Sequence, residues 1–205
     1  MGALVLLLAA SLWSWDVQPP PRVWCVGDSI THFYAPVLAT REPAWTVVDL
    51  GRGGERSDQG LVRLVALLAA NPPPDVVVLA FGANDIATRV MDGDPTYGPR
   101  PAADNVREMA RRVRAAGAVP IVGLPVGAPP PDPADDATAR RNLRALRHAF
   151  ARLRAALRDE RPRVDLRLVR RELFLDALHP RPAGVERITQ RVARAVRRAA
   201  AARGA

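Results

Sequence analysis

Three residues of this chain have the side-chain types that make a hydroxyl nucleophilic. Ser29 lies in Gly27-Asp28-Ser29-Ile30-Thr31, directly behind an apolar run, and Asp176 and His179 lie in Asp176-Ala177-Leu178-His179-Pro180. A serine alone is too weakly acidic to attack an ester at neutral pH. It needs a base within hydrogen-bond reach and a third group that holds the base in the right tautomer. An acid three residues before His179 and a proline after it fix a turn in which Asp176 reaches the imidazole N–H. Between the two ends, Gly51-Arg52-Gly53-Gly54-Glu55 and Gly82-Ala83-Asn84-Asp85 offer hydrogen-bond donors for an oxyanion. A glycine lets a backbone N–H approach a reacting oxygen unhindered, so Gly51, Gly53 and Gly54 are all candidates and spacing does not choose among them. Asn84 offers a side-chain amide. Each motif alone is a common turn or cap; the four in this order describe serine-dependent acyl chemistry.

The remaining chemistry-bearing residues read as supporting ones. Asp28 orders the turn before Ser29. His148 falls in an arginine-rich helical segment and is expected at the surface, and His32, three residues beyond Ser29, is expected to point along its helix. Asp92-Gly93-Asp94 is too short for a calcium loop, the histidines are not at ligand spacing, and a phosphate-cradling loop needs a lysine that the chain lacks. No metal and no cofactor is expected.

These motifs need elements to carry them. Five apolar, β-branched runs read as buried parallel strands: residues 23–26, 46–50, 76–81, 119–124 and 164–169. Helical periodicity fills the gaps. Leu61, Leu64, Val65 and Leu68 share a face, as do Val106, Met109 and Val113. Leu143, Leu146, Phe150, Leu153 and Leu157 form a longer stripe, and Val185, Ile188, Val192 and Val196 form the last. A helix is also expected around residues 31–39. The alternation predicts a three-layer α/β/α sandwich on a parallel five-stranded sheet. Residues 86–101 and the proline-rich stretch 125–136 read as long loops. Both follow carboxyl ends of strands, where an open α/β sheet places its ligand crevice. Ser29, the glycines and Asn84 fall at that same edge.

At 205 residues the chain fits one domain with a substantial core, assigned to residues 22–205. The single cysteine, Cys25, cannot form an internal disulfide and reads as a small buried hydrophobe. The formal net charge is +9, and all thirty basic residues are arginine. They are spread along amphipathic helices, and aromatics are only 5%, without zinc-finger or RNA-binding signatures. Nucleic acid is therefore not expected as a partner, whereas peripheral contact with anionic surfaces such as lipid or acidic polysaccharide is. Residues 1–21 hold the apolar run 3–10, continuing to Trp13, then Pro19-Pro20-Pro21. The run is too short to span a membrane and suits a secretory signal followed by a linker, so export is expected. The alternative is a helix docked on a cytoplasmic domain.

Taken together, the motifs resemble those of the SGNH, or GDSL-type, hydrolase superfamily, over nearly the whole chain from about Val23 to the last helix. Gly27-Asp28-Ser29 resembles its first block and Val47–Ser57 its second, a register that selects Gly54 as the oxyanion glycine. Gly82–Asp85 resembles the third block and Asp176–Pro180 the fifth, and Ser57–Leu67 is similar to the bacterial thioesterase/lysophospholipase branch. The resemblance implies a flavodoxin-like sheet, a triad of Ser29, His179 and Asp176, and an oxyanion hole of Ser29, Gly54 and Asn84. It also implies hydrolysis of carboxylic esters, with small acyl esters, lysophospholipids and acetylated glycans as substrate classes. The alternatives are acyl transfer to glycans with the same triad and a catalytically silent glycan- or lipid-binding module. Ile30 stands where leucine is usual and Asp49 where asparagine is frequent. The second departure bears on hydrogen bonding behind the oxyanion loop.

Overall fold

Continuous apolar runs fill the middle of the sheet because both faces of a central parallel strand are covered. In the computed structural model, which describes residues 19–203, strands β1 (Arg22–Gly27), β2 (Thr46–Gly51), β3 (Val76–Ala80), β4 (Val119–Leu124) and β5 (Arg163–Asp165) pair in parallel. Their order is β2-β1-β3-β4-β5, the flavodoxin-like arrangement with its switch point between β1 and β3. The apolar run 3–13 lies outside the described residues. β3 is buried along its whole length, and Cys25 sits in the interior of β1. Burial pushes the Cys25 thiol up to about 12, which leaves it an inert small hydrophobe.

Among the described residues the α-helices are α1 (Ser29–Arg41), α2 (Ser57–Ala70), α3 (Ala83–Ala87), α4 (Pro99–Ala115), α5 (Ala137–Ala156) and α6 (Pro182–Ala201). α1 packs with α6, while α2 packs on α4 and α4 on α5, which makes the three layers. The α4, α5 and α6 stripes are buried as their periodicity requires, with Val185 only partly covered. The stripe of α2 is rotated from expectation. Ser57, Gly60 and Leu64 are its buried residues and Val65 is exposed. Ser57 is hydrogen-bonded to Asp85, and Gly60 lies against the Phe81 ring, so these two contacts set which way the helix turns.

Two other expectations are corrected. The fifth strand was expected over residues 164–169, but its ladder ends at Asp165. Its neighbour β4, with the residues that follow it, turns Val122, Leu124 and Val126 to this side, and beyond Asp165 the two segments hold on through Leu166 N to Leu124 O (3.1 Å) and Leu168 N to Val126 O (3.0 Å), without the return bond from Val126 N to Leu166 O that would continue a parallel ladder. Residues 86–101 are not one loop. α3 continues into a π-helical turn at Thr88–Asp92, and α4 begins at Pro99, where a first-turn proline loses no hydrogen bond. Residues 125–136 are irregular, as expected.

Candidate active site

Ser29 is the first residue of α1, immediately beyond the carboxyl end of β1. The Asp28 carboxylate caps the helix by accepting from Ile30 N at 2.9 Å. The turn is tight enough that a Cβ on Gly27 would lie 2.4 Å from the Ala80 carbonyl oxygen. Asp28 is almost fully buried, and burial, opposed by the Ile30 N–H and aided by Asp85, raises its carboxyl to about 7.

His179 arrives from the other end of the chain on a small hairpin. Phe174 and Pro180 form an antiparallel bridge, and Leu175 N donates to His179 O at 2.8 Å. Inside the hairpin, Asp176 Oδ1 accepts from the backbone N–H of both Leu178 and His179, each at 2.8 Å. Its other oxygen, Oδ2, lies 2.8 Å from His179 Nδ1. On the far side of the ring, Nε2 lies 3.1 Å from Ser29 Oγ. Burial pulls the Asp176 carboxyl upward, but the bonds from Leu178 N, the His179 ring and His179 N outweigh it and hold it below the usual carboxylate range. Phe33, one helical turn past Ser29, meets the His179 ring edge-on, with centroids 5.8 Å apart.

The loop after β2 carries the glycines expected to offer backbone donors. Arg52 N donates to Gly27 O (2.9 Å) and Glu55 N to Arg52 O (3.2 Å), so the loop is tied both to the first motif and to itself. Gly54 adopts φ +74°, a conformation that a side chain would strain. Neither its N–H nor that of Ser29 bonds to a described residue. Asn84 Nδ2 donates to Glu55 O at 3.0 Å, which places the amide beside residue 55 and leaves its second hydrogen available. Thus Ser29, His179 and Asp176 form one hydrogen-bonded line, and Gly54 and Asn84 meet at the adjoining loop.

Several supporting contacts do not show in the sequence, although Asp49, Glu55, Ser57 and Asp85 lie within the motif blocks. Asp85 is buried and accepts from Ser57 N (3.0 Å) and Ser57 Oγ (2.6 Å), while Asn105 Nδ2 donates to Ser57 Oγ (2.9 Å). Burial raises the Asp85 carboxyl, and the two Ser57 bonds act against it. The clue for Asn105 was a polar residue beside the apolar stripe Ala102, Val106 and Met109. Glu55 is held by the Arg63 guanidinium, which also donates to Leu50 O (2.9 Å). Asp49, the departure from the usual asparagine, accepts from Gly51 N (2.9 Å) and reaches His32 Nδ1 (2.7 Å). His32 therefore points across to β2 rather than along its helix. His148 is exposed.

A cleft of about 730 Å³ adjoins the hairpin, with Met91, Asn142, Leu146, Arg171, Leu175 and Asp176 in its lining. Its lining mixes apolar side chains with charged and amide ones. Among the described residues no group of three or more His, Cys, Asp or Glu could hold a metal ion.

The model of the GDSL-like lipase/acylhydrolase family matches residues 25–187. The chain belongs to that family. Membership makes it an ester-hydrolysing enzyme, and the matched span runs from β1 through His179. No curated protein sequence matches it. Solved structures share the fold at low identity. An acetyl xylan esterase, AlAXEase, superposes with a TM-score of 0.66 at 17% identity, covering 85% of this chain and 99% of its own. A carbohydrate acetylesterase family member from Sinorhizobium meliloti gives 0.67 at 17%, covering 88% and 99%. TesA gives 0.62 at 23%, covering 87% and 99%.

Proposed function

We propose that this GDSL-family enzyme hydrolyses carboxylic esters through an acyl-enzyme on Ser29. His179 Nε2 accepts the Ser29 proton as Oγ bonds to the acyl carbon, and the carbonyl π electrons move onto oxygen. The N–H groups of Ser29 and Gly54 and the free amide hydrogen of Asn84 then hold that oxyanion. Collapse of the tetrahedral species breaks the bond to the alcohol oxygen, which takes the proton from His179. A water enters, gives a proton to His179 and attacks the acyl carbon, and the second collapse returns the proton to Ser29 Oγ. Asp176 keeps the Nδ1 proton in place and stabilises the imidazolium between these steps. The chemistry as written uses no cofactor.

The observation that carries this reading is the line Ser29 Oγ to His179 Nε2 (3.1 Å) and His179 Nδ1 to Asp176 Oδ2 (2.8 Å). The mixed apolar and polar lining of the neighbouring cleft suits an ester with an amphipathic portion, within the classes of small acyl esters, lysophospholipids and acetylated glycans. Export through the apolar segment 3–13 belongs to the same proposal, and fractionation of cells expressing the full chain tests it. The decisive experiment is Ser29→Ala, expected to abolish hydrolysis of p-nitrophenyl acetate while the protein stays folded. A folded Ser29→Ala protein with full activity overturns the mechanism. A chain-length series of p-nitrophenyl esters, run beside acetylated xylan and lysophospholipid, then selects the substrate class.

A further inference from the structure

A second concavity lies at the other pole of the molecule, away from Ser29. α6 starts beside His179 and runs antiparallel to the strands. Its far end reaches the amino edge of the sheet, where Arg203 donates to Asp75 O (2.7 Å) just ahead of β3. Between the carboxyl half of α6 and the edge strand β5 opens a groove of about 990 Å³, with Val119, the first residue of β4, at one end. Among the described residues β5 pairs only with β4, and its other edge lies along this groove.

Six guanidinium groups surround it: Arg161, Arg163, Arg191, Arg194, Arg198 and Arg203. The one carboxylate in the lining, Asp165, is already bound to Arg154 Nη1 at 2.8 Å and to Arg167 N at 2.9 Å. Arg161, Arg163 and Arg191 use part of their donors on backbone carbonyls, Arg163 through one Nη to Arg158 O, and Arg203 pairs with Asp75. Arg194 and Arg198 are exposed and form no ion pair with a described residue. Arg191, Arg194 and Arg198 share one helix face, rising by roughly 4.5 and 6 Å along the axis. The small side chains Ala195, Ala199 and Ala202 keep the floor between them open. Arginines crowded at this spacing repel one another, and an anion that bridges them removes the repulsion and receives forked donors from each.

We propose that this groove binds a linear acidic polysaccharide, its uronate carboxylates seated on Arg163, Arg194 and Arg198. The lining selects this occupant among polyanions. Among the described residues its lining contains no aromatic side chain, so these walls give no stacking platform of the kind that a single-stranded nucleic acid uses. None of the large exposed apolar side chains (Phe33, Val48, Val62, Val65, Met91, Val169, Leu175) belongs to it, so it has nothing to insert into a bilayer. It is concave and elongated along a helix, a shape that admits a chain rather than a flat surface. The groove holds the polymer while the site at the opposite pole stays open. This binding does not depend on the chemistry assigned to Ser29.

The test is direct titration of the full chain with polygalacturonate at several salt concentrations, with neutral pullulan as the control polymer. Arg194→Ala/Arg198→Ala should weaken polygalacturonate binding by about tenfold or more and lower the slope of log K against log salt by roughly one to two. A charge-matched pair on the exposed face of α5, Arg144→Ala/Arg152→Ala, should change affinity by less than about twofold if the groove rather than net charge is the site. Both pairs should hydrolyse p-nitrophenyl acetate at the parent rate, which also shows that they are folded. Arg163→Gln, on the opposite wall, gives a variant that does not touch α6 and should weaken binding in the same direction. Equal losses for the groove and α5 pairs overturn the proposal, as does absence of binding. Tighter binding to single-stranded DNA or to phosphatidylglycerol vesicles than to polygalacturonate overturns it too.

Discussion

Asp176→Asn separates the two tasks of one carboxylate. Oδ1 accepts from Leu178 N and His179 N, each at 2.8 Å, and an asparagine oxygen in the same place keeps both bonds. Oδ2 lies 2.8 Å from His179 Nδ1, and there the variant presents an NH₂. Two donors cannot face each other, so the ring proton moves to Nε2, the atom 3.1 Å from Ser29 Oγ. A protonated Nε2 donates to the serine and cannot take its proton. The amide could flip instead, but its NH₂ would then oppose two backbone N–H groups, giving up two bonds worth about 1 kcal/mol each. The hairpin therefore holds the ring in the wrong tautomer, and the imidazolium has lost its counter-charge. That combination costs about 10⁴ in kcat, or roughly 5.5 kcal/mol of barrier. The assay is kcat for p-nitrophenyl acetate beside a thermal melt. The variant should unfold within a few degrees of the parent, because the hairpin bonds survive, while Asp176→Ala should lose both activity and hairpin order. A folded Asp176→Asn enzyme within tenfold of parental kcat refutes the assigned orientation of His179.

Asn84→Ala removes the amide at the oxyanion loop and should lower kcat by about 10² to 10³, roughly 3–4 kcal/mol, with KM little changed; a change confined to KM would move Asn84 to ground-state binding. Asp28 gives a pH-dependent stability. Its folded carboxyl, raised to about 7 by burial, holds a proton that the unfolded chain releases near the ordinary aspartate value, so stability is full at low pH and declines as pH rises toward 7. Asp28→Asn keeps an oxygen for Ile30 N and should flatten that decline, gaining a few kcal/mol over the parent at pH 8 but not at pH 4 in urea unfolding; parallel pH curves for the two proteins would refute it. Activity should survive exhaustive chelation with EDTA, and a loss restored by a divalent ion would reveal a metal requirement.

The central strands were legible because burial on both faces leaves an unbroken apolar run, as in Val76–Ala80. The edge was less so. Val164, Leu166 and Leu168 alternate as a half-buried strand should, and all three are buried, yet the ladder stops at Asp165 because Val126 N gives no bond back to Leu166 O. Strand length is a property of two segments, and periodicity reads one. The turns around Asp92-Gly93-Asp94 and Tyr97-Gly98-Pro99 hid the π-helical turn before them, although Ile86 is fully buried and anchors it. At the candidate site, Ser29, Asp176 and His179 stood out by side-chain type, and the fold brings them into one hydrogen-bonded line. The supporting contacts did not stand out, since Ser57, Asp85 and Asn105 come together only through tertiary packing across a span of 48 positions.

Those hidden contacts bear on how a loop could serve as the proposed oxyanion hole. Loops in compact folds carry function but lack the hydrogen-bond ladders that fix strands and helices. Here each turn of the segment from Asp49 to Ser57 is tied by a carboxylate or a guanidinium: Asp49 on Gly51 N, Arg63 on Leu50 O and Glu55, and Asp85 on Ser57. Buried or half-buried charges of this kind add little net stability, because desolvation consumes most of their attraction. Their contribution is positional. Removing Asp85 would leave the Ser57 N–H and hydroxyl without their acceptor and free the start of α2, two residues from Glu55, whose carbonyl holds Asn84. Two of the three assigned oxyanion donors therefore depend on one buried acid that never approaches the substrate, and that acid adjoins Asn84 in the chain.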